Sequence, residues 1–130
     1  MKYYISKTID GQFEETIEHV TEALKEIGFG VLTTIELHKT LKEKIHVDFK
    51  PYTILGACNP HFANKALRLE DKLGVILPCN VVVIDQGEGK IEVAAMEPRA
   101  MMQGVVAIKE ASSHVCFIFN DSVYLPVTIG

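Results

Sequence analysis

Two amphipathic helical stripes, separated by β-rich segments, constrain the fold of this chain more than any other feature. The first stripe places an apolar residue at every third or fourth position from Phe13 to Ile27, and Gly28 follows as a helix stop. The second stripe begins at Asn59-Pro60, a typical N-cap and first helical residue, and continues to Leu73. The pattern therefore predicts two helices that each bury one face.

The segments around these helices are typical of β-strands. We predict strands at residues 3–9, 30–37, 52–57, 80–85 and 90–96, with a hairpin turn at 86–89. Residues 40–45 are expected to form a short charged connector of roughly one helical turn. The order β-α-β-β-α-β-β predicts an α+β fold, in which a largely antiparallel sheet carries the helices on one face.

The end of the chain differs in composition from the rest. Residues 101–130 contain 17 hydrophobic residues but only three charged ones, Lys109, Glu110 and Asp121. We predict a third helix after Pro98 and two strands at 114–119 and 122–129. Chain ends are normally polar, so this apolar end is expected to be buried on the same domain or on a partner subunit. Strand addition between two chains would cover it, and we therefore predict a homodimer.

Size and charge exclude several classes of protein. The 130 residues correspond to one domain, and the net charge of −4 argues against a nucleic-acid-binding protein. The sequence has no apolar run long enough to cross a membrane and no apolar signal-peptide core after its first residues. Its three cysteines are too few and too scattered for a disulfide scaffold, which favours a cytoplasmic protein.

Cys58 is the strongest candidate in the sequence for a reactive side chain. It directly precedes the N-cap Asn59, where the positive end of a helix dipole stabilises a thiolate and makes it reactive. Cys79 begins a later strand and could act as a resolving thiol if the fold brings the two together. The alternative is that both cysteines are small packing residues, since free cysteine is among the most frequently buried residue types.

No complete catalytic or metal-binding constellation is present. The pairs Cys58/His61 and His114/Cys116 are spaced more loosely than the paired ligands of structural zinc sites, so we predict neither a metal nor another cofactor. The histidines show no Ser-His-Asp pattern. A non-enzymatic role is therefore favoured over an enzymatic one.

Two motif segments carry a family resemblance: YTILGACNP at residues 52–60 and LPCNVVV at residues 77–83. With the first helix and the Met101-Met102 pair after the hairpin, they resemble the prokaryotic family known as domain of unknown function 302. Residues 1–103 follow the family in order and spacing, as one α+β domain. Residues 104–130 depart from it, because family members end in a charged amphipathic helix; the segment is either divergent or the product of a changed reading frame.

The resemblance implies a fold of the TATA-binding-protein class, with helices against a curved antiparallel sheet and often a dimer, but no established activity. Its motif segments make five residues candidate functional or ligand-contacting positions: Cys58, Asn59, Pro60, Cys79 and Asn80. We therefore predict a domain that binds a small molecule or a protein partner between its sheet and helices. The alternative is a thiol-based redox or transfer protein that uses Cys58 with Cys79.

Overall fold

The structure, a computed structural model, describes residues 3–97. The predicted third helix and the last two predicted strands lie outside these residues. The described part of the chain contains five strands, three α-helices and one 3-10 segment, in this order: β1 (Tyr4–Asp10), α1 (Phe13–Glu26), β2 (Gly30–Glu36), α2 (Leu37–Ile45), β3 (Tyr52–Cys58), α3 (Pro60–Leu69), the 3-10 segment (Asp71–Ile76), β4 (Cys79–Gly87) and β5 (Lys90–Met96).

The strands form one sheet in the order β1-β5-β4-β3-β2. Every neighbouring pair is antiparallel, which confirms the predicted α+β class. Strands β2, β3, β4 and β5 are neighbours in chain order, and β1, the first strand of the chain, pairs with β5 at the other edge of the sheet. The Glu97 amide donates a hydrogen bond of 2.7 Å to the Tyr3 carbonyl, which extends this pairing past the last strand.

One face of the sheet is covered by α1, and we call it the helix-covered face. Val20 and Leu24 of α1 are buried on it and belong to the main core. Because side chains alternate along a strand, every second residue of the central strands contributes to the same core. The buried core residues are Val20, Leu24, Phe29, Leu55, Ala57, Cys79, Val81, Val83, Ile91, Val93 and Ala95.

The opposite side, which we call the open face, carries the other residues of the alternation. The register aligns one row of it across all five strands, Ser6, Ala94, Val82, Ile54 and Ile35. The two faces therefore share the central strands, and the buried residues of α1 pack on one of them.

The prediction of a one-turn charged connector at residues 40–45 was too short. Instead α2 begins at Leu37 directly after β2 and runs for nine residues. Leu37, Leu41 and Ile45 recur every fourth position and form a short stripe, yet no residue of this helix is buried. The backbone amide of Tyr52 donates a 2.9 Å hydrogen bond to His38 Nδ1, which ties α2 to the start of β3.

The second predicted helix ends earlier than Leu73. The α-helix stops at Leu69, because Glu70 has extended backbone angles of −147° and 103°. Its carboxylate accepts a 3.0 Å hydrogen bond from the Lys72 amide and so caps the 3-10 segment. Leu73 nevertheless is buried beside Ala66, so the apolar spacing predicted the packing correctly across the break.

Candidate functional site

Asn59 joins the beginning of α3 to the end of α1. Its side chain is buried, and Oδ1 accepts a 3.3 Å hydrogen bond from the Phe62 amide, as the N-cap prediction requires. The same side chain lies against Gly28, where an added Cβ would stand 2.9 Å from Asn59 Nδ2 and where φ is 90°. Pro60 occupies the first helical position and is exposed. Both residues thus serve the local fold.

Asn80 lies on the open face, in a close cross-strand arrangement around Gly56. The register pairs Gly56 with Asn80 on one side and with Thr33 on the other. A Cβ at Gly56 would stand 2.3 Å from Thr33 Oγ1 and 2.9 Å from Pro78 Cγ. This part of the motif segment therefore requires glycine because neighbouring side chains occupy the space above its backbone.

The two candidate cysteines do not form a disulfide. Cys79 is buried and pairs with Ala57 in register, so their side chains share the helix-covered face. Cys58 is the next residue along β3, where the strand ends before α3, and its thiol is likewise free. The redox alternative therefore finds no support in a bond between the two cysteines.

A small cavity lies between α3 and the sheet, where a ligand was expected. Cys58, Asn59 and Cys79 contribute to its lining, together with apolar residues of α3. Its volume is about 20 Å³, which is space for about one water molecule. The cavity is therefore too small for an organic ligand.

A much larger groove lies on the open face of the sheet. Its volume is about 440 Å³, which falls in the range of small-molecule sites. It is lined by residues of β1, β3, β4 and β5 and by the preceding Tyr3, namely Tyr3, Tyr4, Tyr52, Asn80, Val82, Ile84, Glu92, Ala94, Ala95 and Met96. Of the five predicted site residues, the groove includes Asn80.

The groove is apolar because β4 carries apolar residues on both faces. Val81 and Val83 enter the core, whereas Val82 and Ile84 belong to the open face. Antiparallel sheets commonly place polar residues on the face opposite the core. The uninterrupted apolar run at residues 81–84 was the sequence signal for this groove, but its place depends on the register of the neighbouring strands.

Of the described residues that line the groove, Glu92 is the only charged one. Its Oε1 accepts a hydrogen bond of 2.8 Å from Gln86 Nε2, and Gln86 Oε1 accepts one of 2.9 Å from Lys50 Nζ. The lysine thereby orients the amide so that its NH₂ group faces the carboxylate. This chain of side chains fixes one end of the groove.

Other kinds of site find no support within residues 3–97. No three side chains of the types that bind metal ions are grouped there to hold one, whereas His114 and Cys116 lie outside this range. In the same range, no helix combines the length and the apolar character that crossing a membrane requires.

Comparison with known proteins places the chain in a family. The model of the family described as domain of unknown function DUF302 matches residues 5–116. The chain belongs to the DUF302 family. The match includes both motif segments and continues past residue 103, where the family pattern was expected to stop.

A DUF302 protein of known structure has the same fold. The crystal structure of an uncharacterized conserved DUF302 protein from Bacillus stearothermophilus matches with a TM-score of 0.85 and 28% sequence identity. The match covers 95% of this chain and 97% of that one. No curated protein matches the chain. Family membership thus confirms the fold but supplies no molecular function.

Proposed function

We propose that this DUF302 domain binds a small organic molecule in the groove on the open face of its sheet. The observation that carries the proposal is a groove of about 440 Å³ formed by four strands. Ligand sites are typically concave and mainly apolar, with a few polar groups that orient the ligand. Here Val82, Ile84 and Met96 offer the apolar surface, and Asn80 and Glu92 offer the polar groups.

The aromatic residues of the groove support the same function. Tyr3 and Tyr4 lie at one end with their rings in edge contact, 5.1 Å between centroids. Tyr52 belongs to the lining on β3. Tyrosine combines a large apolar ring with a polar hydroxyl, so it binds mixed apolar and polar ligands at a small entropic cost.

Filling the groove should weaken binding of a ligand there. Ala94 is the smallest residue of the central row on this face, and its replacement by tryptophan places an indole in the groove. We expect Ala94→Trp to weaken binding of the neutral fluorescent probe N-phenyl-1-naphthylamine by about tenfold or more, which corresponds to roughly 1.4 kcal/mol. Fluorescence titration measures the dissociation constant.

His19→Trp is the matched control, since it adds the same indole on the exposed side of α1. Its dissociation constant should equal that of the unmodified protein. Urea unfolding of each variant ensures that folded proteins are compared. Equal binding by Ala94→Trp and His19→Trp, or no binding by the unmodified protein, would contradict the proposal.

We also propose self-association as a second function, because the segment from β2 to β3 exposes large apolar side chains. They are Leu32, Ile35, Ile45, Val47 and Phe49, with Leu32 67% exposed and Ile45 60% exposed. The shift of register between Val31 and Thr33 leaves Leu32 outside the β2–β3 pairing. A second copy of the chain would cover such side chains.

Light scattering at micromolar concentration tests this self-association. We expect a dimer for the unmodified protein and a monomer for Leu32→Glu combined with Ile45→Glu, since each change adds a charge at an exposed apolar position. The double change Glu18→Gln and Glu22→Gln on α1 is the control and should remain dimeric. A monomeric unmodified protein would refute the proposal.

A further inference from the structure

We propose that the ligand of the open-face groove carries a cationic amino group, bound by Glu92, on an extended apolar body. This inference rests on the proposed function and specifies its ligand class. Three features of the groove support a cationic ligand: its charge, the orientation of its carboxylate and the distance from that carboxylate to the other end.

The charge of the groove favours a cation. Among residues 3–97, Glu92 is the only charged residue in the groove lining, and its cross-strand neighbours are Thr8 on β1 and Ile84 on β4. Lys90 lies two residues earlier on the same face of β5, but its ammonium group is paired with the Asp10 carboxylate. A bound ammonium group would therefore give the Glu92 carboxylate a charge partner at the groove.

The carboxylate is also oriented by its neighbours. Gln86 donates to Oε1 of Glu92, and Lys50 holds the amide in the orientation that makes this possible. Charge-assisted hydrogen bonds are stronger than neutral ones and depend on good geometry. Glu92 is thus the ligand-contacting residue of the proposal, whereas Gln86 and Lys50 are positioning residues.

The length of the groove sets the size of the apolar body. Glu92, Ala94 and Met96 alternate onto the same face of β5. Four residues of extended strand separate the carboxylate from Met96 by about 13 Å. Val82 pairs with Ala94 along the way, and Tyr4 pairs with Met96 at the far end. A ligand with an ammonium group at one end and an unbranched aliphatic chain would place its charge at Glu92 and its chain along these apolar residues.

Tyr52 adds a second feature that suits a cation. It pairs with Ile84 in register, and Ile84 pairs with Glu92, so all three lie in one row across the sheet. The face of a tyrosine ring attracts ammonium groups. The Tyr52 ring therefore lies at the same end of the groove as the Glu92 carboxylate.

Three ligands of equal chain length test the proposal by isothermal titration calorimetry: n-octylammonium and n-octanoate, each below its critical micelle concentration, and n-octanol below its solubility limit. We expect the ammonium to bind about tenfold more tightly than the alcohol, and the carboxylate to bind most weakly. Glu92→Gln should remove the advantage of the ammonium, a loss of about tenfold, and leave the affinity for octanol unchanged.

Glu88→Gln is the matched control, because it removes one carboxylate from the exposed hairpin turn outside the groove. It should retain the preference for the ammonium. Gln86→Leu should reduce that preference without abolishing it, as a positioning role requires.

The outcomes separate this inference from the function on which it rests. Equal affinities for the three ligands, or an unchanged preference in Glu92→Gln, would refute the cationic ligand while binding in the groove stands. Binding that survives Ala94→Trp would place the ligand elsewhere and refute both. Absence of binding by all three ligands would refute the cationic ligand, and the naphthylamine titration then decides separately whether the groove binds other molecules.

Discussion

Gly56→Ala is expected to lower the free energy of unfolding by about 1–3 kcal/mol, the usual cost of overpacking a filled site. The added methyl group would stand 2.3 Å from Thr33 Oγ1 and 2.9 Å from Pro78 Cγ. Both separations are shorter than any normal van der Waals contact. Gly56 is itself buried in the middle strand of three, so relief requires movement of β2 or of the residues before β4.

Urea denaturation followed by circular dichroism measures this loss. Gly30→Ala is the matched control, since Gly30 also lies in the sheet but has no atom within 4 Å of an added Cβ. The same methyl group there should change stability by less than about 1 kcal/mol, in either direction. Equal midpoints for the two variants would mean that the crowding above Gly56 does not exist.

The Gly56 contacts show what the motif segments could and could not reveal. The sequence directed attention to Cys58, because a thiol before a helix has recognisable chemistry. The structure instead shows that Gly56 and Asn59 hold close contacts between elements that are distant in the chain. Such contacts follow from the pairing of β2, β3 and β4, which local spacing does not specify.

The elements themselves were largely predictable from local patterns. β5 has the predicted bounds, and α1 ends one residue before the predicted limit, because a regular apolar period and the following glycine determine them. By contrast, α2 was predicted too short, since its charged residues obscure a stripe that begins at Leu37. A helix that buries no residue needs no strong apolar stripe, so hydrophobic spacing predicts it poorly.

The candidate groove was the least predictable feature. Among the five residues singled out from the sequence, Asn80 lines it. Its other residues come from four strands, and Glu92 reaches the same surface as Tyr4 and Tyr52 through the strand order β1-β5-β4-β3. A single strand indicates which residues share a face, but it does not indicate which residues of other strands lie beside them.

Leu24→Ala is expected to cost about 2–5 kcal/mol, the range for a large-to-small change in a rigid core. Leu24 is 1% exposed and is among the largest fully buried side chains. Its carbonyl also accepts a 2.8 Å hydrogen bond from the Phe29 amide, so the turn that leads from α1 into β2 is held at the same residue. The side-chain change removes packing against the sheet and leaves this backbone bond available.

Leu41→Ala in α2 is the matched control for this prediction. Both residues lie in apolar helical stripes, but α2 has no buried residue, so the same truncation should cost no more than about 1 kcal/mol. Thermal and urea unfolding of the two variants compare the helices directly. If the losses were equal, α2 would be as firmly packed as α1. The expected difference means that the core depends far more on α1 than on α2, because residues of α1 are buried whereas none of α2 is.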